Sequence, residues 1–208
     1  MKKILILLFS LFLLSSPSVF ADDILELEIE GISIGDSLLD YMTEEKILSE
    51  IERTKTWYPH LKEPYKYSSV FTRGKFLNYD YLGFYVKNNS ANAYVSNKNE
   101  KYTIMGISGD REYIEDFDKC LEERDLIVQI FSNMLPDIEK IGGRNKKHDG
   151  DPSGNSIINQ FSFYMKDGDL SVYCDNFDET FRMKNNYPEG LSVIIRTEEL
   201  NDWFLDLK

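Results

Sequence analysis

The apolar positions of this chain change period several times, and each change marks an element. From Leu25 to Glu30 apolar and acidic residues alternate, the period of a strand with one buried face, and Gly31 closes it. Asp36 or Ser37 then stands where a helix N-cap belongs, with Leu38, Leu39, Tyr41 and Met42 supplying one apolar turn. Thr43-Glu44-Glu45 has the form of a second cap with acids in the first turn, and Ile47, Leu48 and Ile51 continue the stripe. Two short helices in a row are predicted, ending near Thr54 and followed by an aromatic loop that carries Trp57, Tyr58 and His60.

The middle of the chain returns to period two. Strands are predicted over residues 67–72 and 79–87, the second with Leu82, Phe84 and Val86 on one face and Tyr79, Tyr81 and Tyr85 on the other. After the turn Asn88-Asn89-Ser90, residues 93–96 and 101–108 give two more strands. Over residues 113–135 the period becomes helical, with Phe117, Leu121, Val128, Phe131 and Leu135 along one side and Pro136 as the stop. Residues 142–155 are polar and glycine-rich and read as a long loop. Residues 161–165 and 170–174 then alternate around Asp167-Gly168, a hairpin signal that places Phe161 opposite Cys174, Phe163 opposite Val172 and Met165 opposite Leu170. Residues 180–184 and 191–196 add strands, and Thr197 caps a last helix with Leu200, Trp203, Phe204 and Leu207 as its apolar stripe. The predicted class is α+β, antiparallel β meanders with helices packed on one face.

The first residues do not belong to that pattern. Lys2 and Lys3 precede an apolar run over residues 4–14, and Val19-Phe20-Ala21 supplies a small-residue cleavage site. Residues 1–21 are therefore predicted to be a signal peptide, and residues 22–208 a single exported domain, periplasmic or secreted. Cleavage leaves 22 basic against 36 acidic residues, a net charge of −14, which argues against nucleic acid and anionic membrane surfaces as partners. The two cysteines change the picture further. Cys120 falls on the apolar side of the long helix and Cys174 on the apolar face of the hairpin, so in an oxidising compartment they form a candidate disulfide. Closing that loop would contribute about 4 kcal/mol on the chain-entropy estimate.

Candidate chemistry is sparse. Residues 31–35 match Gly-x-Ser-x-Gly around Ser33, and Gly35-Asp36-Ser37-Leu38 resembles the opening of the Gly-Asp-Ser-Leu hydrolases, which would make Ser37 a nucleophile. Those enzymes also carry Asp-x-x-His and Gly-x-Asn-Asp blocks, and this chain has neither; its two histidines, His60 and His148, lack the spacing of a general base. Capping by Asp36 or Ser37 accounts for the same residues. Asp149, Asp151 and Ser153 occupy the first three ligand positions of a calcium loop, but Gln160 stands where the bidentate carboxylate belongs, and a solvated loop accounts for them too. Tyr79, Tyr81 and Tyr85 form a face able to take a small ligand or a partner protein, because tyrosine joins an apolar ring to a polar tip. Ordinary strand composition explains the same tyrosines. No cofactor is indicated.

The run Gly31-Ile32-Ser33-Ile34-Gly35-Asp36-Ser37-Leu38-Leu39-Asp40-Tyr41, followed by Thr43-Glu44-Glu45 and later by Ser108-Gly109 and Cys120, resembles a family of small exported bacterial α+β proteins of unknown function. A fainter likeness is to periplasmic modules in which a helix precedes a β meander, among them assembly-machine lipoproteins and β-lactamase-inhibitor-like domains. That resemblance implies binding to another protein, although the chain has no cysteine at the cleavage site for lipid attachment. Two functions follow as expectations: a non-catalytic periplasmic binding or interaction protein, and a small esterase using Ser37.

Overall fold

The computed structural model describes residues 23–88, 100–185 and 187–208. The alternating stretch at the start does not run as one strand. It opens with a 3-10 turn at Ile24–Glu26, capped by Asp23, which leaves Leu25 at 54% exposure and shifts the buried set to Ile24, Leu27 and Ile29. A small hairpin follows, β1 (Glu28–Ile29) against β2 (Ile32–Ser33), turning at Glu30 and Gly31 with φ of 56° and 74°. Ser37 then caps a 3-10 turn at Leu38–Asp40, and Thr43 caps α1 (Glu44–Thr54), so both predicted caps act as caps.

The remaining elements are β3 (Tyr67–Arg73), β4 (Tyr81–Lys87), β5 (Ile104–Glu112), α2 (Phe117–Met134), β6 (Glu139–Lys147), β7 (Ile157–Met165), β8 (Gly168–Asn176), α3 (Glu179–Asn185), β9 (Gly190–Thr197) and α4 (Glu198–Leu205). Among the described residues, seven strands form one antiparallel sheet in the order β3-β4-β5-β9-β8-β7-β6. The class is α+β. Each of α1 and α2 leads into a three-stranded meander, and β9 enters between the two meanders and joins them into one sheet. The strand predicted over 93–96 lies outside the described residues.

One face of the sheet is apolar. Val70, Phe84, Ile107, Ile195, Leu170 and Phe163 run across it from β3 to β7, and α2, α1 and the N-terminal hairpin cover them. Cys120 on α2 is bonded to Cys174 on β8, with 6.0 Å between their Cα atoms, which fixes the helix to this face. Helices are not confined to it. Leu200 and Trp203 of α4 pack with Tyr67 and Tyr85 on the opposite face, and a Cβ at residue 106 would lie 2.5 Å from the Leu200 side chain, so Gly106 lets the helix sit close to the strand.

Three further expectations are corrected. Residues 180–184 belong to α3, not a strand, because the Asp178 carboxylate accepts the Phe181 N–H at 3.1 Å and the Asp178 carbonyl accepts Arg182 N–H at 2.8 Å, starting a helix. The loop expected from residue 142 is strand through Lys147: among the described residues β6 is an edge strand that pairs only with β7, and it slips register between Gly142 and Asn145, so its composition is that of a solvated loop. In the β7-β8 hairpin the turn is Lys166-Asp167, with Met165 opposite Gly168, Phe163 opposite Leu170 and Phe161 opposite Val172. The two-residue slip preserves the face of every side chain. Gly168 is drawn into β8 because it pairs with Thr197, and any Cβ there would meet the Arg196 carbonyl and Ile24.

The two sheet edges are protected differently. Along β3, the Glu50 carboxylate of α1 accepts the Phe71 N–H at 3.2 Å and Thr54 Oγ1 donates to the Ser69 carbonyl at 2.7 Å, so side chains take up the free backbone groups. Along β6, Lys140, Arg144, Lys146 and Lys147 supply the charge that discourages edge-to-edge pairing.

Candidate functional site

Opposite the apolar core, the sheet face between the Trp57 loop and α3 is a groove of about 1140 Å³. Its floor is a row of side chains in direct register across four neighbouring strands: Tyr81 on β4, Asp110 on β5, Ser192 on β9 and Tyr173 on β8. Period two puts them there. The same strands place Leu82, Gly109, Val193 and Val172 or Cys174 on the covered face.

Asp110 is the centre of the row. Ser108 Oγ donates to its Oδ2 at 2.9 Å and Ser192 Oγ to its Oδ1 at 2.5 Å. Burial raises its pKa and the two serines pull it down, leaving it at about 6. Asp175, toward the end of β8, is pushed up to about 7 by burial and by the charges of Asp110 and Glu189. Its Oδ1 is buried and has no hydrogen-bond partner among the described residues. Burial together with these two carboxylates also raises Tyr173.

The near wall comes from α1 and the loop after it. Arg53 lies 5.3 Å from the Trp57 ring centre and 5.7 Å from that of Phe71, and bonds Glu50 at 2.7 Å. Arg73 lies 5.1 Å from the Tyr81 ring centre and bonds Glu112 at 2.7 Å. The far wall is aromatic. His148 sits 5.4 Å from Phe177, 5.4 Å from Phe181 and 6.3 Å from Tyr187, ring centre to ring centre, while Arg182 pairs with Glu189 at 3.4 Å. Hydroxyls, carboxylates and rings together suit recognition of a polar ligand with an apolar part.

The residues singled out in the sequence fall in different places. Tyr81 lies on the groove floor, and Tyr85 lines the end where Phe204 packs on it at 5.3 Å. Tyr79 is not with them: β4 begins two residues later, and the Tyr79 ring packs against Gly109 on the covered side. Alternation in the sequence continues to Tyr79, but strand pairing starts at Tyr81. Ser37 is 3% exposed; its Oγ donates to the Lys101 carbonyl at 2.9 Å and accepts from Leu39 N–H. His60 stands beside Tyr58 and the final residue, and His148 is held in the far wall of the groove, so the histidines occupy other regions of the fold. Ser33 is in β2 and makes no strand-to-helix elbow.

Asp151 turns inward. Its carboxylate accepts from Ser153 N–H and Oγ and from Ser156 N–H at 2.7–2.9 Å, and against the desolvation that opposes them these bonds hold it well below the usual carboxylate range. Asp149 is exposed, and among the described residues no group of three or more His, Cys, Asp or Glu is placed to hold a metal. No helix among the described residues is long and apolar enough to cross a membrane.

Asp110, Asp175, Ser192 and Trp57 were not singled out from the sequence as site residues. Their one local signal is polarity at alternate positions of strands, Ser171-x-Tyr173-x-Asp175 and Ser108-x-Asp110, and this reports a wet face without reporting that it is concave. No protein-family model, curated protein or solved structure matches the chain, so the groove is interpreted from its own chemistry.

Proposed function

We propose that this chain is an exported, non-catalytic binding protein that takes a small ligand or a segment of a partner protein into the groove on the polar face of its sheet. The observation that carries the reading is the floor row Tyr81, Asp110, Ser192 and Tyr173, which places a buried carboxylate and two hydroxyl-bearing rings under an open cleft, outside the main apolar cluster. The disulfide supports an oxidising compartment. The recurring order of helix then meander, in α1 with β3-β4-β5 and in α2 with β6-β7-β8, supports kinship with the small exported proteins and periplasmic protein-binding modules that the sequence resembles.

The test fills the groove. Ser192→Phe places a ring over Asp110; a thermal-shift screen of metabolites and peptides on the mature chain should return hits with wild type that vanish with this variant, while circular dichroism stays unchanged. Hydrolysis of a generic ester by wild type, lost in Ser37→Ala, would replace the binding reading with the esterase one.

A further inference from the structure

The cations around the groove already have partners. Arg53 is bonded to Glu50, Arg73 to Glu112 and Arg182 to Glu189, and Lys46 Nζ donates to Thr72 Oγ1 at 2.6 Å. The carboxylates on the floor are in the opposite position. Among the described residues, the Asp110 carboxylate is met only by the hydroxyls of Ser108 and Ser192, and Asp175 Oδ1 is buried with no partner. The rings differ in the same way. Trp57 and Phe71 on the near wall and Tyr81 at the near end of the floor each carry an arginine; on the far wall, beside Asp175, Phe177 and Tyr187 are in contact at 5.5 Å with each other and carry no cation among the described residues.

From this mismatch we infer that the groove binds an organic cation, a primary ammonium on an apolar stem, with its charge at Asp175 and Asp110 and its stem along Phe177 and Tyr187. The inference rests on the groove being the binding site. A carboxylate supplies the charge and hydrogen-bond acceptor, and the ring faces supply a further attraction that strengthens as water is excluded. The groups facing Asp175 agree with this: Asp110 from β5, Glu189 from the segment before β9 with Arg182 of α3 already bonded to it, Tyr173 on β8, and His148 across the far wall. Burial first, and then the charges of Asp110 and Glu189, raise the pKa of Asp175 to about 7, and an ammonium beside it would favour its charged form.

The same chemistry arises from a free diamine or from a lysine side chain of a partner protein. Isothermal titration of the mature chain at about pH 8 with cadaverine, trilysine, the diol analogue of cadaverine and glutarate separates these possibilities. Cadaverine or trilysine should bind and the diol and glutarate should not. The tighter of the two cations identifies the source, free amine or lysyl chain. Asp175→Asn should weaken that binding about tenfold or more, and lowering the pH to about 6 should weaken it in wild type, because protonation of Asp175 competes with the cation. The variant should remain folded, since it removes an unpaired buried charge. Binding of the diol or glutarate at least as tight as that of cadaverine, cadaverine binding unchanged in Asp175→Asn, or no binding by either cation overturns the inference. The groove reading itself falls only if the Ser192→Phe screen also finds no hit that depends on the groove.

Discussion

The two faces of the seven-stranded sheet are made by alternate residues of the same strands, yet they differ in every other respect. On one, Phe84, Ile107, Ile195, Leu170 and Phe163 are each no more than 1% exposed and are covered by α1, α2 and the disulfide between Cys120 and Cys174. On the other, α4 covers only the end near Tyr67 and Tyr85, and the remainder stays open over Asp110, Ser192 and Tyr173. Apolar burial stabilises the first face in proportion to the area removed from water. The second holds one buried and one half-buried carboxylate, Asp110 and Asp175, whose charged forms are disfavoured there. Stability is concentrated on the covered face, and the proposed binding site lies on the open one.

The sharpest way to break this contrast is on the covered side. Phe84→Ala should destabilise by about 3–5 kcal/mol through a cavity that neighbouring strands cannot close, and reduction of the Cys120–Cys174 bond should cost about 4 kcal/mol for its long loop; denaturant unfolding with and without reductant measures both. On the open side the effect should take the other sign. Asp110 and Asp175 hold their protons more tightly folded than unfolded, so the stability they contribute is full below about pH 4, the ordinary carboxylate value. It is lost as pH rises through about 6 and about 7, their values in the fold. A melting-temperature profile should fall over that interval in wild type and flatten in Asp110→Asn with Asp175→Asn. A profile of unchanged slope in the double variant would show that the two acids do not titrate with folding.

Smaller effects test the connecting pieces. Ser37→Ala should cost about 1 kcal/mol, the ordinary value of an N-cap, since it removes the acceptor for Leu39 N–H and the donor to the Lys101 carbonyl. Arg73→Ala should cost well under about 1 kcal/mol, because its pair with Glu112 is solvent-exposed, and that loss should shrink further at high salt. A larger loss would make the Arg73–Tyr81 contact part of the scaffold.

Much of the fold was legible along the chain because its signals are local. Ser37, Thr43 and Thr197 cap as their neighbours require, and the stripe Phe117, Leu121, Val128, Phe131 and Leu135 faces the core as its period requires. The same stripe conceals a miss: Arg124 lies on it, buried, with its guanidinium 5.2 Å from the ring centre of Phe161. The site was less legible. Of the three tyrosines proposed as a face, Tyr81 and Tyr85 line the groove and Tyr79 does not, since the period cannot say where a strand starts. Asp110 and Asp175 were invisible as a pair because they are far apart in the chain.

The sequence by itself determined which residues alternate, where helices are capped, and that two cysteines lie on apolar surfaces, because these depend on backbone geometry and on neighbours within a few positions. Only the tertiary structure decided that β9 enters between β5 and β8. That insertion puts Ser192 against Asp110, draws Gly168 out of the expected turn and moves the hairpin register by two. Strand order and register are settled by burying one apolar face across the whole sheet, a condition no single segment carries. The groove follows from that order: the residues left on the uncovered face are brought together by pairing over long sequence distances.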